Sequence, residues 1–231
     1  MHLDLTHPVT TGMQRYPGDP AVELSAHATH EADGYRVTAV AAGSHTGTHV
    51  DAPSHTEPGG DDLDAVDVAA FDMTARVVDC TDVGSREPIS PETVPTDGDL
   101  DAVVFHTGWD RHWGTDRYRD HPFLTPETAR RCAAADYDVG VDALSVDPTP
   151  SARGDAGDGD VEGDGSDGRE TDPDGVPAHH AILGAGNLVV ENLTGLAAAP
   201  ERIRLQAYPL ALGVDGAPVR AVATEPRSES K

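Results

Sequence analysis

The residues with the clearest chemical potential lie in one short stretch, residues 44–55, which reads SHTGTHVDAPSH. His45, His49, Asp51 and His55 fall within eleven residues, at successive offsets of 4, 2 and 4. Imidazole together with carboxylate suits Zn²⁺ or Mn²⁺ better than Ca²⁺ or Mg²⁺, which prefer sites made of oxygen alone. Three such ligands from one segment leave a coordination position for water, as catalytic metal sites do. The stretch therefore predicts a catalytic metal site.

The backbone of this stretch is predicted to be extended. A helix could also bring His-x-x-x-His onto one face, but three β-branched residues, a glycine and a proline argue against it. In a strand, residues at even offsets share a face, so the four polar side chains point the same way. Residues 45–51 would span about 20 Å if fully extended, which is too far for one ion. We therefore expect a bend at Gly47 and an end at Pro53.

Apolar and β-branched runs elsewhere predict the elements that hold this stretch in place. Strands are predicted for residues 35–44, 76–80, 101–106, 138–142 and 188–191. A helix is predicted after Thr125, which precedes Pro126 as an N-terminal cap. Near the C-terminus, apolar runs at 203–212 and 219–223 flank Asp215-Gly216, which is a hairpin signal. The pattern predicts a mixed α/β domain built on one sheet.

The length of 231 residues fits a single domain, 1–231, with a Gly- and Asp-rich insertion loop at 151–175. Asp158 begins a segment similar to an EF-hand loop, but Arg169 stands where a bidentate Glu is required, so calcium is not expected. No long apolar run and no signal-peptide pattern is visible, which favours a cytoplasmic protein without a membrane span. Cys80 and Cys132 are too few for a disulfide framework and are expected to be reduced.

The net charge of -25, from 41 acidic and 16 basic residues, is the strongest compositional signal. Such a chain repels nucleic acid and anionic membranes, which leaves a small molecule as the expected partner. Segment 151–175 holds nine acidic and two basic residues, a net of -7, so the other 206 residues carry -18. Because the excess is spread along the chain, we expect a surface adapted to high salt, which screens self-repulsion.

Residues 45–55 also resemble the His-x-Gly-Thr-His-x-Asp-x-Pro-x-His signature of the cyclase superfamily, which includes bacterial metal-dependent kynurenine formamidases and isatin hydrolases. All seven fixed positions match. Further resemblance extends over most of the chain, at residues 4–9, 16–19, 106–109, 140–148, 178–193 and 209–221. It implies a swivelling β/β/α fold with a mixed sheet and a C-terminal hairpin, and a homodimer or larger homo-oligomer. The acidic insertion departs from the family pattern.

The resemblance implies a site for one or two ions, with zinc as the expected metal and Mn²⁺ as the alternative. The implied ligands, in chain order, are His45, His49, Asp51, His179 and Glu191. Asp51 would bridge two ions, and His55 would be the acid/base. Tyr16 stands where formamidases place an aromatic residue against the substrate ring. His180 competes with His179 as a ligand, and the family match alone favours His179.

The implied reaction is hydrolysis of a small amide, most specifically N-formylkynurenine to kynurenine and formate in tryptophan breakdown. A metal lowers the pKa of bound water, and an imidazole with an ordinary pKa near neutrality can move the proton to the leaving amine. Three alternatives stay open. The substrate could be an isatin-type lactam or a lactone. The chain could instead be a metal-dependent binding protein without turnover, or the metal could only stabilise the fold.

The remaining polar residues are weaker candidates. Five histidines are expected at the surface: His7, His27, His30, His112 and His121. His106 ends a predicted strand and is a minor candidate for the pocket. Asp142 and Ser145 are as suited to capping a turn as to contacting a ligand. Trp109 and Cys132 are predicted to pack in the core.

Overall fold

The structure is a computed structural model that describes residues 2–150 and 172–226. Most of the insertion predicted at 151–175 therefore lies outside the described residues. The two flanks of the segment 151–171 meet at Arg86, whose guanidinium donates to the carbonyl oxygen of Thr149 and pairs with Asp172. Thr149 and Asp172 are thus joined through one buried side chain.

Strands dominate the described residues, with thirteen strands against three α-helices. The strands are β1 (His2–Asp4), β2 (Glu23–Ala28), β3 (Val37–Ala41), β4 (His49–Asp51), β5 (Asp72–Asp79), β6 (Pro88–Ile89), β7 (Ala102–His106), β8 (Phe123–Leu124), β9 (Asp138–Val141), β10 (Val189–Glu191), β11 (Arg202–Gln206), β12 (Gly216–Pro218) and β13 (Val222–Thr224). The helices are α1 (His30–Asp33), α2 (Pro126–Ala134) and α3 (Pro177–Leu183). Among these residues no helix is long and apolar enough to cross a membrane.

Nine of the strands form one mixed sheet in the order β1-β13-β11-β5-β7-β9-β10-β4-β12. The central strands β5, β7, β9 and β10 are parallel to one another, and the outer pairs on both sides are antiparallel. Both chain ends contribute edge partners, because β1 pairs with β13 and β12 pairs with β4. The mixed sheet and mixed α/β class confirm the predicted fold class.

The sheet separates two apolar cores, and the alternation of side chains along each strand explains how. In β7, Ala102 and Val104 belong to one core, whereas Val103 and Phe105 belong to the other. Helices α2 and α3 cover the second core through residues such as Cys132. The continuous apolar run of β7 is therefore typical of a central strand that is buried on both faces.

Several predicted elements are confirmed. Thr125 caps α2 by accepting a hydrogen bond from the backbone N–H of Thr128, and Pro126 follows in the first turn. Trp109 and Cys132 are buried in the core, as expected. The strand predicted at 35–44 forms over Val37–Ala41, but it pairs with β2 in a separate two-stranded sheet. We call β2 and β3 the arm, and every residue of β3 is exposed.

The C-terminal hairpin differs from the predicted one at its apex. Strands β11 and β13 pair antiparallel, with Arg204 opposite Thr224. Residues 216–218 between them leave the hairpin and pair with β4 instead. A tight turn at Asp215-Gly216 was therefore a wrong prediction, because the open edge of β4 offers this segment a backbone partner.

Two histidines expected at the surface are buried. His7 stacks on Trp113 with ring centroids 3.9 Å apart, and His121 donates from Nδ1 to the carbonyl oxygen of Pro122 at 2.7 Å. Burial lowers the pKa of His7 to about 4 and also lowers the pKa of His121. Both rings are therefore neutral near pH 7, and a neutral imidazole is less costly to bury than an imidazolium.

Candidate metal centre

Strands β4 and β10 place three polar side chains on one face of the sheet. Their antiparallel register sets Glu191 opposite His49 and Val190 opposite Val50. Val50 and Val190 both lie in the core on one face, so the alternation of a strand sends His49, Asp51 and Glu191 to the other. The predicted even spacing is confirmed for the strand part of the motif, residues 49–51.

A bend at Gly47 turns His45 back toward the strand. Gly47 adopts φ +63, a left-handed conformation that favours glycine. His45 Nδ1 then lies 2.6 Å from Asp51 Oδ1. The ring also needs the absence of a side chain at Gly216, because a Cβ there would lie 2.6 Å from His45 Cε1. The bend at Gly47 and the end of the segment at Pro53, which starts a 3-10 turn, are both confirmed.

Helix α3, more than 120 residues after β4 in the sequence, contributes His179. Asp147 accepts hydrogen bonds from the backbone N–H groups of Ala178 and His179, each at 2.9 Å, and so fixes the start of the helix. His179 Nε2 points toward Glu191 Oε1 at 3.2 Å. The neighbouring His180 points to the surface instead, where its Nδ1 lies 2.7 Å from Glu57. The geometry therefore favours His179 over His180 as a ligand candidate.

The side chains form two groups of potential ligands that share Asp51. One group is His45, His49 and Asp51, and the other is Asp51, His179 and Glu191; in each, the ligand atoms lie within 4.8 Å of one another. His49 Nε2 lies 3.2 Å from Asp51 Oδ1 and 3.6 Å from Glu191 Oε2, which joins the groups. A carboxylate with two oxygens can serve two cations, as the arrangement around Asp51 permits.

Each of the three imidazoles is oriented through one ring nitrogen. His45 Nε2 lies 2.9 Å from Asp215 Oδ2, and His49 Nδ1 donates to the carbonyl oxygen of Gly47 at 2.8 Å. His179 Nδ1 contacts Asp147 Oδ2 at 2.8 Å. Histidines that bind metals usually hold their second nitrogen in this way, with a carboxylate or a carbonyl. The remaining nitrogens face Asp51 and Glu191.

The carboxylates hold positive charge on the imidazoles. Burial lowers the pKa of His45, but hydrogen bonds and the charges of Asp51 and Asp215 outweigh it and raise this pKa to about 9. Burial also lowers the pKa of His179. The contacts with Asp147 and Asp51 outweigh it and raise this pKa well above its ordinary value. Burial raises the pKa of Asp51, but the charge of His49 and its other histidine neighbours bring it well below its usual range.

A cation fits this donor set. Asp51 is fully buried, yet its Oδ2 atom has no hydrogen-bond partner among the described residues. His179 Nε2 lies 3.7 Å away, beyond hydrogen-bond reach. A buried carboxylate oxygen without a partner is costly, and a divalent ion between Asp51 and His179 would remove that cost. Nitrogen and carboxylate donors together suit zinc-like ions.

His55 lies at the rim of the centre, on the 3-10 turn Pro53–His55. Its ring centroid is 4.0 Å from that of His45 and 5.7 Å from that of His179. Its Nδ1 lies 3.2 Å from Asp215 Oδ2, so the same carboxylate touches His45 and His55. The side chain is 32% exposed, unlike the buried histidines. A partly exposed imidazole beside the donor cluster can exchange protons with solvent.

A cavity of about 230 Å³ opens onto the cluster. Tyr16, Trp113 and Leu144 give it aromatic and apolar walls, and His45, His49, His55, His179 and Glu191 line its floor. Burial and the charge of Glu191 raise the pKa of Tyr16, so its hydroxyl stays protonated at neutral pH. Arg15 and Asp19 also line this cavity. The space suits a small, flat molecule.

The structure brings together all the predicted site residues, and it separates the minor candidates His106 and Asp142 from the cavity. His106 lines a different groove, beside Val78 and Leu196. Asp142 accepts hydrogen bonds from the backbone N–H groups of Thr107 and Gly108, so it caps a turn. Ser145 lines the cavity.

Sequence reasoning missed three residues of the centre. Asp147 and Asp215 orient imidazoles from positions 32 and 170 residues away, and Trp113 forms a cavity wall. Asp215-Gly216 was interpreted as a hairpin turn. Asp147 was visible within the family-like stretch 140–148, but no local pattern indicated its partner.

Comparison with known proteins identifies the family. The "Putative cyclase" family model matches residues 3–148. The kynurenine formamidase of Salinibacter ruber is 33% identical over 231 residues, which cover 95% of each chain. The kynurenine formamidase of Bacillus cytotoxicus is 26% identical over 224 residues, again 95% of each chain. The chain belongs to the cyclase family.

Solved structures agree with this fold. Isatin hydrolase A from Labrenzia aggregata superposes with a TM-score of 0.77 at 20% identity, covering 97% of this chain and 93% of that one. A potential metal-dependent hydrolase with cyclase activity gives a TM-score of 0.73 at 26% identity, covering 98% and 99%. At its level of identity, the isatin hydrolase supports the fold alone.

Proposed function

We propose that the chain is a metal-dependent amide hydrolase, and that it acts as an arylformamidase on N-formylkynurenine, releasing kynurenine and formate. The full-length similarity to kynurenine formamidases supports this substrate. The observation that carries the proposal is the pair of ligand groups sharing Asp51, with His55 at the rim and an aromatic-walled cavity above them.

His45, His49 and Asp51 would hold one ion, and Asp51, His179 and Glu191 a second. Zinc is the proposed metal, with Mn²⁺ as the alternative, because both accept nitrogen and carboxylate ligands. A bound ion of this kind activates water near neutral pH and polarises a carbonyl oxygen. The residues of the chain supply the rest of the chemistry, which is proton transfer and substrate orientation.

His55 is the proposed proton carrier. Asp215 holds its Nδ1, which leaves Nε2 to serve the cavity that His55 lines. Nε2 takes a proton from the attacking water while the water oxygen bonds to the formyl carbon. The same proton then passes to the aryl amine nitrogen as the C–N bond breaks, so formate and the free amine leave. Tyr16 and Trp113 hold the aromatic ring beside this path.

The test is His55→Ala, with His180→Ala as the matched control. Loss of general acid-base catalysis lowers kcat by about a hundredfold or more, whereas metal content, measured by elemental analysis, stays the same. His180→Ala removes an exposed imidazole that pairs with Glu57, and it keeps both quantities. Full activity of His55→Ala on N-formylkynurenine would reject the proposed mechanism.

A substrate panel separates the alternatives that the sequence left open. Wild-type protein loaded with Zn²⁺ or Mn²⁺ is offered N-formylkynurenine, isatin and a small lactone at high salt. We expect kcat/KM to be highest for the formamide. Preference for isatin would make the chain a lactam hydrolase, and no turnover of any substrate would favour a metal-dependent binding protein.

The arm is the proposed contact between two copies in a homodimer. Both its strands lie outside the main sheet, and Val37 and Val40 are 40% and 66% exposed. An isolated two-stranded hairpin is marginal in water, so a partner would stabilise it. Val40→Asp is expected to give monomers in analytical ultracentrifugation. A wild-type protein that is already monomeric would contradict the proposal.

The acidic surface is the proposed adaptation to high salt. Charge self-repulsion at -25 falls as salt shortens the screening length to about 3 Å at 1 M. We expect Tm to rise between 0.1 M and 3 M KCl, and equal values would reject the adaptation. The cytoplasmic location predicted from the sequence stays a prediction.

A further inference from the structure

Two side chains of opposite charge line the cavity without ion-pair partners among the described residues. The guanidinium of Arg15 forms no ion pair with any carboxylate of the described residues, and the carboxylate of Asp19 pairs with no cation there. Seven other arginines of the described residues, among them Arg202 and Arg204, pair with carboxylates. With 41 acidic residues available, an unpaired arginine in a cavity indicates a place kept for a ligand.

Hydrogen bonds connect the segment that carries both residues to the aromatic wall of the cavity. Arg15 Nε donates to the carbonyl oxygen of Asp19 at 2.7 Å, which closes a local turn and leaves the two terminal NH₂ groups of the fork without partners among the described residues. Gln14 ties the same segment to the loop after Trp113, through hydrogen bonds with Gly114 and Thr115. Tyr16 follows directly and lines the cavity. The two charged residues and Tyr16 thus belong to one segment, which hydrogen bonds join to the loop after Trp113.

We infer that Arg15 and Asp19 form a subsite for the zwitterionic head of an α-amino acid carried on the substrate's aromatic ring. Arg15 would bind the α-carboxylate through its fork, and Asp19 would accept hydrogen bonds from the α-ammonium. A ligand with only one of these charges would be attracted by one residue and repelled by the other. The inference rests on the proposed function and adds to it the two residues that would recognise the amino acid part of N-formylkynurenine.

The subsite would determine specificity at a distance from the reacting bond. Neither residue is among the groups that could hold the metal, so their effect should appear in discrimination between substrates rather than in metal content. Charge-assisted hydrogen bonds at such a site change affinity by about tenfold to a hundredfold.

The test uses two aryl formamides and the ratio of their kcat/KM values. N-formylkynurenine carries the ammonium and the carboxylate, and formanilide carries neither. In Arg15→Gln the ratio of N-formylkynurenine to formanilide is expected to fall about tenfold to a hundredfold. Arg130→Gln and Asp82→Asn, which alter exposed charges away from the cavity, are the matched controls and keep the wild-type ratio. An unchanged ratio in Arg15→Gln would overturn the inference while leaving the formamidase proposal intact.

Binding of the product provides a second measurement that needs no turnover. Titration calorimetry compares kynurenine with the analogue 4-(2-aminophenyl)-4-oxobutanoate, which keeps the carboxylate and lacks the ammonium. We expect Asp19→Asn to lower the affinity for kynurenine, because the variant loses the attraction to the ammonium. It should raise the affinity for the analogue, because the repulsion of the carboxylate is also lost. Equal changes for both ligands would overturn the role of Asp19. If neither formamide is hydrolysed, the proposed function fails, and these Kd values still decide whether the subsite exists.

Discussion

The two halves of the metal centre are built in different ways. His45, His49 and Asp51 come from seven consecutive residues, and the bend at Gly47 with the alternation of β4 is enough to converge them. His179 and Glu191 come from a helix and a strand that meet β4 only through the sheet order and its register. The local half could be read from spacing, whereas the distant half depends on tertiary structure. Asp51 is common to these two halves, whereas a third group of potential ligands in the described residues, formed by His45, His55 and Asp215, does not include it.

Asp51→Asn is expected to have the largest effect on both halves of the metal centre, since it removes the shared carboxylate while keeping the shape of the side chain. We expect loss of metal from both halves and a fall in kcat/KM of about a thousandfold or more, beyond the roughly hundredfold limit typical of outer partners. His45→Ala and His179→Ala should each affect one half. Elemental analysis gives the metal content of each variant.

The control for this change is Asp61→Asn, an exposed acidic residue whose substitution should leave metal content and activity as they are. Circular dichroism verifies that the Asp51 variant folds. Retention of a full metal complement in Asp51→Asn would show that the two halves do not depend on a shared ligand.

A smaller effect is expected from the carboxylates that orient each half. Asp147→Asn should weaken metal binding at the His179 half, and Asp215→Asn at the His45 half, each by about 10- to 100-fold. Competition with a chelator measures the affinity for Zn²⁺. If both variants lowered the affinity for the same ion equally, the division into halves would be incorrect.

Metal affinity should also depend on pH. His45 must lose its proton to bind a cation, and its metal-free pKa is about 9. Affinity is therefore expected to rise by at least about tenfold per pH unit between pH 6 and pH 9, because His49 and His179, whose pKa values are also raised, lose protons too, and the contribution of His45 levels off above pH 9. Zn²⁺ titrations across this range test it. In Asp215→Asn the plateau should begin at lower pH, because one of the charges that raises this pKa is gone; a flat profile in wild type would contradict the assignment.

The smallest effect concerns a carboxyl at the other end of the β9–β10 pair. Burial raises the pKa of Asp138 to about 7, and its Oδ1 accepts from the backbone N–H of Leu188 at 2.7 Å. Because the folded pKa lies above the unfolded value, the folded state holds the extra proton and stability falls as pH rises toward 7. Between pH 6 and pH 8 the loss is about 1.4 kcal/mol.

Asp138→Asn keeps the acceptor for Leu188 and cannot ionise, so its free energy of unfolding should lack this component. Urea unfolding at pH 6 and pH 8, in constant salt, measures the difference. An identical pH dependence in wild type and variant would show that Asp138 does not carry the buried proton. The contrast with Asp51 is instructive, since that carboxylate is buried among cations and stays ionised.

Features that depend on near neighbours could be predicted from the sequence, whereas contacts between distant segments could not. The cap at Thr125, the bend at Gly47 and the alternation in β4 depend on near neighbours, and each formed as expected. His7 and His121 were placed at the surface, because composition cannot show that a neutral imidazole stacks on Trp113 or donates to a carbonyl.

The same reason explains the misreading of Asp215. Asp-Gly between apolar runs is a sound hairpin signal, but strand β12 finds a longer-range partner in β4. The choice between His179 and His180 likewise needed the position of α3, because adjacent helical residues point in different directions and sequence order says nothing about which one faces Asp51.

The pairing of β4 with β12 has a consequence for protein synthesis. A ribosome adds about 5 to 20 residues per second, so many seconds separate the emergence of residues 49–51 from that of residues 216–218. Throughout that interval the edge of β4 lacks its cover and His45 lacks Asp215. The centre can therefore be completed only after residues 215–218 have been synthesised, long after the residues of its local half.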